Sequence, residues 1–199
     1  QSLILAAEVS PPRNDPDHLA MVTLNTILGG NFVSRMNMNL REDKHWAYGA
    51  FTVLSNAKGQ SPFFVYAPVQ TDKTAESMQE ALKELDGIVG QKKPTADEIR
   101  YAKDSIVLSL PGDNETTSDI ATSYSSILTY GLPDSYYNDV VGIVNGLTPA
   151  QLDAAADKLI HPNALTWIVV GDLSKIEAPI RKLNFGEVTV LDTDGHVLK

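Results

Sequence analysis

The hydrophobic periodicity of this sequence changes repeatedly along the chain, and the order of the changes limits the folds that it can adopt. Apolar residues alternate with the period of two that is typical of strands in residues 2–9, 47–55 and 63–70. Helical spacing follows over residues 71–160, and a continuous apolar run typical of a covered strand returns in 164–172. The predicted order is strand, two helices, hairpin, four or five helices, strand and helix. This order indicates an α+β fold: one mostly antiparallel sheet with helices layered on one face.

Two helices are predicted between the first strand and the hairpin. Asp15 is expected to cap the first helix, with Pro16 at its first helical position and Gly29 and Gly30 at its end. Ser34 is expected to cap the second helix. The residues expected to face inward from the first helix are Ala20, Leu24, Ile27 and Leu28.

Further signals mark the remaining elements. Thr95 and Thr148 each open a capping box. Pro68 is expected at a sheet edge or a bulge, and Pro179 is expected to shift or bend the start of the last helix. Residues 185–199 are predicted to form a short strand and a loose end. One middle helix is expected to direct a single face inward, made of Ile120, Tyr124, Ile127 and Leu128.

Composition excludes several classes of function. The length of 199 residues, with 43% hydrophobic and 21% charged residues, predicts one folded domain over residues 1–199. A net charge of −9 without any basic run argues against a nucleic-acid partner. No apolar run reaches the ~18 residues of a membrane helix, so no membrane partner is predicted. Because no Met precedes the first strand, Gln1 is interpreted as a cut in a longer polypeptide.

The residue types that hold metals are sparse. The absence of cysteine excludes thiolate zinc sites, iron–sulfur clusters and cysteine nucleophiles. Neither H-E-x-x-H nor H-x-x-E-H occurs, and no histidine has a partner at metal-binding spacing. A G-x-S-x-G elbow and a phosphate-binding Walker loop are also absent. No metal site and no cofactor are therefore predicted in this chain. The four histidines concerned are His18, His45, His161 and His196.

One segment, residues 28–51, concentrates unusual features and reads LGGNFVSRMNMNLREDKHWAYGAF. On pattern alone, Arg41 is a cation in a last helical turn, where the helix dipole favours it by ~0.3 to 1 kcal/mol. Tyr48 is then an ordinary strand aromatic on the same side as Ala50 and Thr52. The turn at residues 29–31 could hold an anion, but a helix end with glycine is the favoured interpretation.

This segment resembles the motif GG-x-x-x-SRL-x-x-x-LRE-x-x-g-x-aYg of the insulinase/pitrilysin family of zinc metallopeptidases, the inverzincins. The likeness continues in order through PTADEIRYAKDSIVLSLPGDNET, YGLPDSYYNDVVGIVNGLT and LIHPNALTWIVVGDLSKI, and so covers nearly the whole chain. It is similar in particular to the C-terminal-type half that lacks the zinc ligands.

The resemblance implies an assembly of similar α+β domains, in one chain or two, that close around a peptide. Residues 1–199 would be one domain of a two- or four-domain metallopeptidase, inactive alone. The implied partners are a zinc-binding homologous domain or subunit, which carries H-x-x-E-H, and the peptide substrate. Bacterial relatives are often exported, so the family suggests the periplasm.

The resemblance also implies site residues. Arg41 and Tyr48 occupy the positions from which an Arg and a Tyr reach toward the substrate at the partner's metal. Arg35 is interpreted as a structural ion-pair partner. His45 and Trp46 stand where relatives often have Gly and a smaller apolar residue, and His is tolerated in a left-handed turn. The residues implied to lie beside the substrate, although a packing role is favoured for them, are Gly29, Gly30, Asn31 and Phe32.

Two alternatives to a peptidase half remain open. Some relatives of this fold are structural subunits of larger complexes, so a non-catalytic assembly subunit is the second hypothesis. A module that binds peptides along an exposed sheet edge is the third.

Overall fold

A computed structural model describes residues 1–198, and its centre is one four-stranded sheet. The strands lie in the order β2-β3-β1-β4, and every neighbouring pair is antiparallel. The predicted α+β class is confirmed. The strands are β1 (Ser2–Ser10), β2 (Phe51–Leu54), β3 (Ser61–Val69) and β4 (Thr166–Val170).

Eight α-helices accompany the sheet in the described part of the chain. Within residues 1–198, none of them is long and apolar enough to cross a membrane. The capping boxes at Thr95 and Thr148 form as predicted. In each box the threonine side chain accepts the backbone N–H of the residue three positions later, and the side chain of that residue accepts the backbone N–H of the threonine. The helices are α1 (His18–Leu28), α2 (Arg35–Asn37), α3 (Thr74–Val89), α4 (Ala96–Ser109), α5 (Thr117–Tyr130), α6 (Tyr136–Gly146), α7 (Pro149–Leu159) and α8 (Leu173–Arg181).

The two faces of the sheet have different environments. On the inner face the hydrophobic side chains of β1 and β3 are buried against the helices, those of β4 are partly buried, and α1 and α3 contact the strands directly. Outward positions on all four strands are partly exposed. The core is therefore built between one face of the sheet and the helical layer. Its central sheet residues are Ile4, Ala6, Phe63, Val65 and Ala67.

Helix α1 begins later than the sequence predicts. Its first residue is His18, and Asp15 is not the helix cap. The Asp15 carboxylate instead accepts the backbone N–H of Asp17 at 2.9 Å and the ammonium of Lys158 at 2.6 Å. This carboxylate stabilises a turn before the helix, and the predicted N-cap at Asp15 is therefore wrong.

Strand β2 is shorter than the predicted strand over residues 47–55. Ala47 makes an isolated bridge to Val69, and regular pairing begins only at Phe51. Ala50 is buried, whereas Tyr48 is 87% exposed, although strict alternation would place both on one face. The alternation fails because the backbone between Ala47 and Phe51 leaves the ladder.

The two proline predictions were wrong in part. Pro68 lies in β3, an interior strand, and pairs with Leu3 of β1. The ladder from β3 to β2 has already ended at Tyr66, so the proline falls where only one neighbouring strand is regularly paired. Pro179 lies inside α8 rather than at its start, because Asp172 caps the helix at Leu173.

Helix α5 and the C-terminal segment also differ from expectation. On α5 only Ile127 of the predicted inward face is buried. The C-terminal segment forms a turn closed by a bridge between Leu191 and Val197 instead of the predicted strand. The three exposed residues of the predicted α5 face are Ile120, Tyr124 and Leu128.

Candidate functional site

Arg41 lies in a π-helical turn, Met38–Asp43, that continues α2. The N–H of Lys44 donates to the carbonyl of Asn39 at 3.0 Å, the wide spacing that defines such a turn. Single π-helical turns inside helices occur frequently at functional sites because they redirect a side chain. Leu40 is fully buried and anchors this turn in the core.

A tight connection fixes the path from Arg41 to Tyr48. His45 adopts the left-handed conformation, with a φ of 57°, as the sequence predicts. The carbonyl of Leu40 accepts the N–H groups of both Trp46 and Ala47, at 3.0 and 3.2 Å. The side chain of Gln70 donates to the carbonyl of His45 at 2.8 Å, and its backbone N–H donates to Trp46. Helix end, turn and strand β3 are thus joined by direct hydrogen bonds.

The Arg41 guanidinium contacts two aromatic rings. Its Cζ lies 4.3 Å from the centroid of the Phe32 ring and 5.4 Å from that of Tyr48. Its Nε lies 3.4 Å from Oε1 of Glu42. Cation–π contacts of this kind contribute about 0.5–1 kcal/mol at exposed sites. The structure therefore brings Phe32, Arg41 and Tyr48 together, and it adds Glu42, the residue that follows Arg41 in the same turn.

The glycine turn serves the packing of α1 against β2. A Cβ added to Gly29 would lie 2.8 Å from the Cβ of Thr52 and closer still to its backbone nitrogen. One added to Gly30 would meet the side-chain nitrogen of Asn25 at 2.8 Å. Asn31 accepts the N–H of Val33 through its side chain. These contacts support the packing role favoured for Gly29, Gly30 and Asn31. Contact of these residues with a substrate stays a prediction.

Arg35 forms a structural ion pair, as predicted. Its Nε and Nη2 donate to the two carboxylate oxygens of Glu98, at 2.6 and 2.8 Å. Its Nη1 donates to the carbonyl of Lys92 at 2.6 Å. These contacts join α2 to the start of α4, away from the rings around Arg41, and they explain Arg35 as a structural residue.

Two of the four histidines, His18 and His161, make their contacts outside the cluster around Arg41. Burial, with a smaller effect from Arg13, lowers the pKa of His18 to about 4, so this imidazole is neutral inside the fold at neutral pH. His161 places Nδ1 2.7 Å from a carboxylate oxygen of Glu8. Neither arrangement groups the ligands that a catalytic zinc needs.

A cluster of potential ligands that the sequence analysis missed lies near the C-terminus. Among residues 1–198, the ligand atoms of Asp192, Asp194 and His196 fall within 4.8 Å of one another. Asp192 accepts the backbone N–H groups of Asp194 and His196, at 2.9 and 2.8 Å. These bonds account for the cluster as a hydrogen-bonded turn on the surface.

Comparison with known proteins connects the fold to a family. The family model described as the peptidase M16 inactive domain matches residues 1–106. A zinc protease of Bacillus subtilis is 31% identical over 103 residues, 49% of this chain and 25% of the relative. A zinc protease of Mycobacterium leprae is 28% identical over 165 residues, 81% of this chain and 36% of the relative. The matched part of the chain thus spans between a quarter and just over a third of the length of these curated relatives.

A solved structure agrees with the sequence match. The peptidase M16 inactive domain from Pseudomonas fluorescens superposes with a TM-score of 0.77 at 23% identity, covering 84% of this chain and 40% of that one. The predicted resemblance to a half without zinc ligands is confirmed by the description of the matched family. Because the matched residues 1–106 are more than half of the 199, the chain belongs to the family of peptidase M16 inactive domains.

Proposed function

We propose that this chain is the half of a zinc-dependent peptidase that does not bind zinc. It closes over a peptide substrate and supplies Arg41 and Tyr48 to the active site of a zinc-binding homologous domain. The observation that carries the proposal is the pairing of these two side chains: the guanidinium lies 5.4 Å from a phenol ring that is 87% exposed. Exposure of this degree leaves the phenol accessible to a facing domain.

The family supports the assignment of zinc binding to a partner domain and of substrate contacts to this chain. The two curated relatives are named zinc proteases, and each is much longer than this chain, which leaves room for a second, zinc-binding part. The matched family is described as the inactive domain. The ligand set for zinc is therefore assigned to the partner, and the site in this chain is assigned to substrate and transition-state contacts.

The chemistry of the pair fits peptide hydrolysis. A zinc ion in the partner domain would activate water toward the peptide carbonyl, whose oxygen then gains negative charge. Arg41 and Tyr48 can donate hydrogen bonds to this oxygen or to the adjacent substrate backbone. A guanidinium is suited to this because it stays charged and presents several donors in a plane.

Neighbouring groups hold the donors before substrate arrives. The Cζ of Arg41 lies over the Phe32 ring, 4.3 Å from its centroid, and Oε1 of Glu42 lies 3.4 Å from Nε of Arg41. The hydrogen bonds from Trp46 and Ala47 to Leu40 limit the movement of Tyr48 relative to the helix. Donors fixed in this way lose little entropy when the transition state forms.

The test measures peptide cleavage by the complex of this domain with its zinc-bearing partner. Arg41→Ala and Tyr48→Phe are each expected to lower kcat about a hundredfold, the usual effect of removing one oxyanion donor. Bound zinc should remain stoichiometric in both variants, because neither residue is assigned to the metal. Cleavage that is unchanged in both variants would overturn the proposal and favour the assembly-subunit hypothesis.

Helix α4 offers matched controls for both substitutions. Arg100 pairs with Asp97 on the surface, and Tyr101 is 50% exposed. Arg100→Ala and Tyr101→Phe remove the same chemical groups outside the candidate site. Both controls are expected to keep the kcat of the unmodified complex within about twofold, since surface changes of this type alter stability little.

A further inference from the structure

Three separate segments must be held together for Arg41 and Tyr48 to share one site. The loop after α1 carries Phe32, the π-helical turn carries Arg41, and the backbone before β2 carries Tyr48. We propose that Asn37 is the positioning residue that holds these three segments in register. Its effect on catalysis rests on the proposed function, whereas its effect on the geometry of Arg41 does not.

The Asn37 side chain is completely buried and bonds in two directions. Its Nδ2 donates to the carbonyl of Phe32 at 2.6 Å. Its Oδ1 accepts the backbone N–H of Ala50 at 3.1 Å. Its exposed fraction is 0%, so water cannot replace either partner. One amide therefore links the loop before α2 to the backbone that leads into β2.

The position of Asn37 along the chain places both bonds close to the site. It lies four residues before Arg41 in one helical run, where side chains point to the same side of a helix. Phe32, whose carbonyl it binds, is the residue whose ring covers Arg41. Ala50, whose N–H it binds, follows Tyr48 by two residues. A change at Asn37 would therefore reach all three segments through short stretches of backbone.

An asparagine suits this position because both of its polar atoms are used. Aspartate would keep an acceptor for Ala50 but would direct a carboxylate oxygen at the carbonyl of Phe32, and leucine would supply neither bond. A buried backbone group that loses its partner costs about 1–3 kcal/mol, so a folded Asn37→Leu variant is expected to move the Phe32 and Ala50 segments toward other partners.

The surrounding packing leaves little freedom. A Cβ added to Gly49 would lie 2.9 Å from Cε2 of the Phe51 ring and 3.7 Å from Oδ1 of Asn37. Ala50 is itself fully buried. The backbone between Tyr48 and Phe51 therefore has little room to move beside Asn37, and its hydrogen bond to the Asn37 amide determines its position.

The first test observes Arg41 directly by NMR of the full chain with labelled arginine. The Phe32 ring, 4.3 Å away, is expected to shift the side-chain N–H resonance of Arg41, and Phe32→Leu defines the position without the ring. Asn37→Leu and Asn37→Asp should both move this resonance toward the Phe32→Leu position. An Arg41 resonance that stays at its original position in the folded variants would overturn the proposal.

Thr52→Val is the matched control. Thr52 is buried in β2, and its hydroxyl donates to the side chain of Asn25 at 2.8 Å. The substitution removes a hydrogen bond between α1 and β2, close to the Asn37 site, without touching Asn37. It should leave the Arg41 resonance in place, so a shift in this control as well would show that the resonance reports only general loosening. If Asn37→Leu does not fold, Asn37→Asp alone decides, with the dispersion of its amide spectrum as the criterion of folding.

The second test separates this inference from the proposed function. In the complex with the zinc-bearing partner, Asn37→Asp should lower kcat at least tenfold with KM changed by less than about threefold, since substrate contacts themselves remain. The same substitution in a background that carries both Arg41→Ala and Tyr48→Phe should cause little further loss. A moved Arg41 resonance with unchanged cleavage would retain Asn37 as a positioning residue and reject the proposed function. Reduced cleavage with an unmoved Arg41 resonance would reject Asn37 as a positioning residue and would leave the proposed function standing.

Discussion

At the scale of single residues, Glu98 shows how one carboxylate serves two elements. It closes the capping box of α4 by accepting the N–H of Thr95, and it also accepts both donors of the Arg35 ion pair. Burial by itself would raise the pKa of Glu98, but the hydrogen bonds from Arg35 and Thr95 outweigh it and lower this pKa to about 2. The ionised form is thus favoured by folding.

Glu98→Gln is expected to remove this pH-dependent stabilisation. The folded pKa is depressed from 4.5 to about 2, so the contribution is complete above about pH 4.5 and is lost as pH falls toward 2. At about pH 6 the variant should lose about 2 kcal/mol of unfolding free energy, the usual effect of charge-assisted hydrogen bonds. At about pH 3 the difference should be clearly smaller. Urea unfolding at both pH values measures it.

The neighbouring Asp97 provides the control for this experiment. Its side chain is 88% exposed and pairs with Arg100 on the same helix. Asp97→Asn should change the unfolding free energy by less than about 0.5 kcal/mol at both pH values. An equal loss for Glu98→Gln at both pH values would contradict the assignment.

At the scale of elements, the contact between α1 and β2 depends on a missing side chain. Gly29 lies at the end of α1, where its carbonyl accepts the N–H of Thr52 at 3.0 Å. The helix end can approach the strand this closely because residue 29 has no Cβ. Gly142 in α6 is the opposite case, since an added Cβ there would have no atom within 4 Å.

The two glycines are expected to respond with opposite signs to alanine. Gly29→Ala should lower the unfolding free energy by about 2 kcal/mol or more, because the new methyl group collides with the backbone of β2. Gly142→Ala should raise it by about 0.5–1 kcal/mol, because alanine has less freedom to lose in a helix. Denaturant titrations of both variants would refute this explanation if Gly29→Ala were as stable as the original chain.

At the scale of the whole molecule, the outer face of the sheet is apolar and partly uncovered. The outward positions of the four strands carry no charged residue, and in the register they form continuous rows, such as Phe51, Tyr66, Leu5 and Ile168. Val170 at the edge is 61% exposed. Contiguous apolar surface of this kind is uncommon on isolated monomers and marks surfaces that other groups contact.

This face is expected to bind an apolar dye in the folded state. Ile168→Thr with Val170→Thr should lower the fluorescence of bound ANS and change the unfolding free energy by about 0.5 kcal/mol or less, because threonine suits exposed strand positions. Leu108→Ser, at an exposed site on α4, is the control and should leave most of the fluorescence. Equal fluorescence in all three proteins would show that the sheet face is not the dye site.

Local patterns in the chain were enough to predict the class of fold, the order of the elements, the helix caps at Thr95 and Thr148, and the segment in which the candidate site lies. These features depend on neighbours a few residues apart, which periodicity, capping and a continuous motif record directly. Three features became visible only in the folded chain: Tyr48 leaves its strand and becomes exposed, the Phe32 ring contacts Arg41, and Asn37 joins their segments. Those features depend on groups far apart along the chain that compete for the same hydrogen bonds and the same space. A local sequence pattern contains no information about that competition.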